Sequence, residues 1–153
     1  MALTLTSSAF APQTMIPPRY TCEGEDASPA LSWTAPPAGT KSFALINDDP
    51  DAPAGTWVHW VVYNLPPTSR GLEENLPKTA QLPNGAAQGL NDFRRVGYGG
   101  PCPPPGPAHR YVFTLYALDT ALTLPPKATK AQVEGAMNGH VLSQVKLIGL
   151  YQR

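Results

Sequence analysis

Apolar residues in this chain fall in short runs separated by prolines, glycines and polar residues, a pattern that predicts strands joined by turns. Residues 3–6, Leu-Thr-Leu-Thr, alternate and predict a first strand. A short second strand is predicted over 31–33 and closed by Pro36 and Pro37. The strongest strand signals are 42–48 and 57–65, dense in Val, Ile, Trp and Tyr. Between them Asp49 to Gly55 has the composition of a tight polar turn. Another alternating strand is predicted over 110–118 and a last one over 143–151. Residues 66–108 read mostly as loop, and a loop that long inside a compact chain is usually functional.

One helix stands out. Thr129 can cap it, with Gln132 three residues on completing a capping box. Val133, Ala136, Met137, His140 and Val141 then follow the i, i+3, i+4, i+7, i+8 spacing of an apolar stripe, which predicts His140 on the face packed against a sheet. With a single helix among many strands, the expected class is all-β and mainly antiparallel. Nothing marks an internal repeat or a boundary, so one domain over 1–153 is expected.

Composition narrows the function classes. Nineteen prolines and 13 glycines among 153 residues oppose long helices but stay below a low-complexity level. Eleven basic residues balance 11 acidic ones, and the longest basic run is Arg94-Arg95, read as a solvated pair. Without a basic stripe to neutralise phosphates, nucleic acid is not an expected partner. No stretch reaches the roughly 20 apolar residues of a membrane span. Residues 1–10 lack a basic start and a continuous apolar segment, so no signal peptide is expected and the cytoplasm is the expected compartment, with a periplasmic or secreted location left open.

The candidate chemistry lies at strand ends. Side chains two apart on a strand share a face, which groups Trp57 with His59 and His109 with Tyr111. Asp49 and Asp51 belong to the turn that opens onto Trp57. If the two strands are neighbours, Asp49, His59, His109 and Tyr111 form one polar cluster. Asp51 is expected to serve the turn by accepting backbone N–H groups. Beside His109, Gly99-Gly100 could arrange backbone N–H groups as an anion nest, with the following prolines as a stiff wall. Two His and one Asp also make a metal triad, but the histidines lack local ligand spacing, and no metal or other cofactor is expected. Trp33 and Trp60 read as core, Trp57 as a pocket wall.

The segments DDPDAPAGTWVHW (48–60) and GYGGPCPPPGPAHRYVF (97–113) resemble the two signature motifs of the phosphatidylethanolamine-binding protein family. SPALSW (28–33) and the closing helix and strand are similar too. The likeness is to the shorter bacterial and archaeal, Raf-kinase-inhibitor-like branch, whose pocket transfers but whose eukaryotic kinase partners do not. The resemblance implies two packed antiparallel sheets with a short helix near the C-terminus. It implies a ligand pocket of Asp49, His59, His109 and Tyr111, walled by Pro53, Trp57, Gly100 and Pro101. The implied ligand is a small anion: phosphate, a phosphorylated head group or a carboxylate. A homodimer is compatible with the resemblance.

Two functions follow from these residues, a small-anion binding protein or an enzyme working by proton transfer through the Asp/His/His/Tyr pocket; the resemblance implies a third, a protease inhibitor or other protein partner contacting its target through an exposed loop within 66–96. Binding is the leading reading, because no Ser–His or Cys–His nucleophile can be placed. In it Asp49 orients a histidine and favours its protonated form, so affinity should rise as pH falls from about 8 towards 6. Cys22 and Cys102 both lie in turn-rich loops. A bridge between them and two free thiols are both open, with the bridge slightly favoured.

Overall fold

The structure, a computed structural model, describes residues 2–153. Among the described residues there are eight strands: β1 (Leu5–Thr6), β2 (Leu31–Trp33), β3 (Ser42–Asp49), β4 (Trp57–Leu65), β5 (Gly71–Leu72), β6 (Ala87–Gln88), β7 (His109–Leu118) and β8 (Val141–Tyr151). They form a small sheet of order β1-β2-β5 and a large one of order β6-β4-β3-β7-β8. All of the strand pairings are antiparallel, as the sequence led one to expect. The first strand is shorter than the alternation suggested, although Leu3 is still buried. Within 66–108 the two-residue strands β5 and β6 occur where only loop was expected.

Two apolar layers hold the sheets in place. Phe43, Leu45, Trp60, Val62, Phe113 and Leu115 from the large sheet pack against Leu5, Leu31, Trp33 and Leu72 from the small one. The opposite face of the large sheet presents Ala44, Ile46, Val58, Val61 and Tyr63, covered by Leu122, Ala128, Val133 and Met137. Burial on both faces explains why β3 and β4 read as nearly continuous apolar runs rather than strict alternations.

Helix α1 (Lys130–Met137) has the capping box in place. The Gln132 N–H donates to Thr129 Oγ1 at 3.3 Å and the Thr129 N–H to Gln132 Oε1 at 2.9 Å. The helix stops earlier than its stripe implied. Val133 and Met137 are buried, but Gly139 adopts φ +82° and turns the chain into β8. His140 is therefore exposed, with its ring paired to Asp119 at 2.7 Å, and does not pack on the sheet. A glycine in the left-handed region ends the helix before the pattern can continue.

Candidate functional site

Both neighbours of β3 run antiparallel to it, so its last residue lies beside their first ones. Asp49, Trp57 and His109 are thereby gathered at one end of the large sheet. The histidine-bearing strands are not direct neighbours: β3 lies between β4 and β7. Tyr111 spans the gap, its ring 5.2 Å from His59 edge-on and 6.5 Å from His109 in a stack. A cavity of about 340 Å³ opens here, lined by Asp49, Pro53, Trp57, His59, His109 and Tyr111, with Ala52, Ala54, Phe93, Cys102, Pro103 and Pro104.

His59 reaches this cavity through a bulge. Register steps from Asp48↔Val58 to Asn47↔Trp60, leaving His59 as the extra residue of β4. Simple alternation would put Val61 on the His59 face; instead Trp60 and Val62 join the layer between the sheets and Val61 the outer one. His59 is 3% exposed, with its Nδ1 2.6 Å from the Gly99 carbonyl. A carbonyl oxygen only accepts, so Nδ1 carries the hydrogen and Nε2 is left over. Burial pushes the His59 pKa below the usual imidazole value, against the pull of the Gly99 carbonyl and the Asp49 charge.

Asp49 is committed on both oxygens. Oδ1 accepts the Asp51 N–H at 2.8 Å, and Oδ2 lies 2.7 Å from His109 Nδ1. Since a carboxylate accepts, His109 also presents Nε2 as its remaining nitrogen. The Tyr111 hydroxyl is buried away from solvent, near the Asp49 carboxylate but without a well-formed hydrogen bond. Burial, and then the Asp49 charge, push its pKa well above that of a free phenol. Asn47, on the same strand two residues before Asp49, likewise has a buried amide without a partner.

Asp51 acts across strands rather than within its turn. Its carboxylate accepts from the Arg110 backbone N–H and from Nε and Nη2 of the Arg110 guanidinium, all within 2.9 Å. The Arg110 side chain holds the Asp51 pKa down at about 2. The turn's own bond comes from Asp49 instead. Together they fix the turn over the start of β7.

Gly100 and Pro101 stand behind the wall, not in it. The Gly100 N–H donates to Asp26 Oδ1 at 2.8 Å, the Gly99 N–H to the His59 carbonyl at 2.9 Å, and the Pro101 carbonyl accepts from the Cys22 N–H at 3.1 Å. With both glycine N–H groups spent internally, no anion nest forms. Gly100 is required by close approach: a Cβ there would sit 2.2 Å from the Tyr20 carbonyl oxygen. Cys22 and Cys102 are joined, Cα atoms 5.4 Å apart, which ties the wall to the loop after Tyr20.

Phe93 gave no periodic signal, because it is a single aromatic in a polar loop. The loop is built around it: Asn91 Oδ1 accepts the Phe93 and Arg95 N–H groups, and Asp92 Oδ2 the Val58 N–H. The Phe93 ring meets Trp57 edge-on at 5.5 Å and His59 at 5.4 Å. Arg95 is not merely solvated; its guanidinium lies over Phe93, 5.8 Å from the ring centre. Among the described residues, no three His, Cys, Asp or Glu side chains are grouped to hold a metal ion, and no helix is long and apolar enough to cross a membrane.

Comparison with known proteins identifies the family. The family described as phosphatidylethanolamine-binding protein matches residues 6–152. A UPF0098 protein of Methanothermobacter thermautotrophicus is 57% identical over 99% of each chain. One of Aquifex aeolicus is 53% identical over 96% of this chain and 86% of its own. The crystal structure of Escherichia coli YbcL, described as a member of the mammalian family, superposes with a TM-score of 0.93 at 34% identity, covering 100% of this chain and 99% of that one. That of CT736 from Chlamydia trachomatis gives 0.90 at 43% identity, covering 99% and 98%. The chain belongs to the phosphatidylethanolamine-binding protein family.

Proposed function

We propose that the chain binds a small oxyanion, a phosphate, phosphorylated head group or carboxylate, in the cavity at the end of β3. One observation carries the reading. Each histidine has its Nδ1 tied to a protein acceptor, which leaves two Nε2 atoms at a single cavity, with the Tyr111 ring between the two imidazoles. Groups fixed in advance lose little freedom when a ligand arrives. The neutral His59 offers a lone pair at Nε2, so an oxyanion there requires a proton, taken up by the ring or brought on the ligand's own oxygen. Calorimetric titration of inorganic phosphate tests the proposal. His59→Ala and His109→Ala are each expected to weaken binding by about 1.5–3 kcal/mol, the range for hydrogen bonds to charged groups. Affinity indifferent to both would remove the cavity as the site.

The second reading, proton-transfer catalysis, has the Asp49–His109 pair in its favour, since a general base needs an orienting partner. Cys102 cannot serve as its nucleophile, because it is engaged with Cys22. Turnover of a phosphate monoester that disappears in His109→Ala would establish catalysis; an unchanged ligand after long incubation favours binding alone.

A further inference from the structure

The cavity is larger and less polar than an inorganic oxyanion needs. Its volume of about 340 Å³ falls in the range of small organic ligands. Around the histidines stand Pro53, Trp57, Phe93, Pro103 and Pro104, none with a charged side chain. Trp57 and Phe93 meet at 70°, forming an apolar corner, and Trp57 is 36% exposed. A ligand group seated in that corner would remove apolar surface from water on both partners.

A cationic head group finds no free carboxylate in the same place. Among the described residues Asp49 is the only carboxylate lining the cavity, and it already accepts from His109 and from the Asp51 N–H. Asp51 is held by Arg110. Aromatic rings can bind an ammonium through their faces. Here, however, the Arg95 guanidinium already lies over Phe93 and would repel a second cation. Burying an unpaired ammonium is costly.

Resting on the oxyanion reading above, we infer that the ligand is an oxyanion carrying a compact, uncharged apolar substituent, and that the Trp57–Phe93 corner selects it over an amine-bearing head group. The test is calorimetry with inorganic phosphate, phenyl phosphate and phosphoethanolamine under one set of conditions. Phenyl phosphate is expected to bind about tenfold or more tighter than phosphoethanolamine, the gain that burial of one small ring supports. Phe93→Ala should narrow that ratio, and Phe93→Leu should narrow it less. Phosphoethanolamine binding as tightly as phenyl phosphate, or a ratio untouched by both Phe93 variants, overturns the inference alone. Inorganic phosphate binding that ignores His59→Ala and His109→Ala overturns the oxyanion reading, and the inference with it.

Discussion

The Asp49 carboxylate and the His109 ring meet at 2.7 Å across the ends of β3 and β7, both largely shielded from water. The contact joins two residues 60 positions apart and fixes which nitrogen His109 turns to the cavity. Removing one partner leaves the other buried without its bond, which costs more than removing both. His109→Ala is therefore expected to destabilise the fold by about 1.5–3 kcal/mol. Adding Asp49→Ala to it should cost less than the sum of the single changes. Urea unfolding of the two single variants and the double variant checks this; strict additivity would mean the pair is not coupled.

His59 should make stability depend on pH. Its folded pKa lies below the unfolded value of about 6.5, so the neutral form is the one the fold prefers. Above about 6.5 this contribution is fully present; it is lost as pH falls through the folded pKa, because the unfolded chain takes up the proton first. Unfolding free energies measured from pH 8 to pH 5 should fall on the acidic side. The fall should be shallower in His59→Gln, and an identical slope would contradict the assignment.

Much of the site was legible because two rules act over short distances. Strand parity grouped Trp57 with His59 and His109 with Tyr111, and antiparallel pairing with β3 brought those groups to one end of the sheet. What could not be read depends on partners far away in sequence. The bulge at His59 appears only once β3 and β4 are in register. The Gly99-Gly100 pair looked like free donors, but the acceptor that uses Gly100 is Asp26, 74 residues earlier. Phe93 lacks periodicity, and β5 and β6 are too short to show any. The apolar stripe overran α1 because the spacing of His140 and Val141 fits a helix, while Gly139 turns the chain before they are reached.

Behind the pocket wall, Gly100→Ala should cost about 1–3 kcal/mol, as overpacking generally does. The added Cβ would meet the Tyr20 backbone rather than a movable side chain. Thermal unfolding of the variant gives the answer. A stability equal to that of the parent would show that the Tyr20 segment yields easily.

The Cys22–Cys102 link spans 80 positions. Chain-entropy reasoning gives such a loop about 4 kcal/mol of stabilisation. Oxidised, denatured protein should show no titratable thiol, and treatment with a dithiol should release two and lower the unfolding midpoint. Two thiols without reductant would contradict the link.

Binding of phosphate at pH above about 7 should take up protons, because His59 Nε2 is otherwise a lone pair facing the ligand's oxygens. Repeating the calorimetry in buffers of different ionisation enthalpy measures the uptake. Heats that do not change with the buffer would mean that the oxyanion avoids His59.

The Nε2 atoms of His59 and His109 are proposed to form one oxyanion site. A crystal soaked in phosphate tests it most directly. The expected density is a tetrahedral anion with oxygens about 2.6–3.2 Å from His59 Nε2 and His109 Nε2. An anion bound elsewhere on the surface, with this cavity still holding only solvent at a concentration that saturates binding in solution, would contradict it.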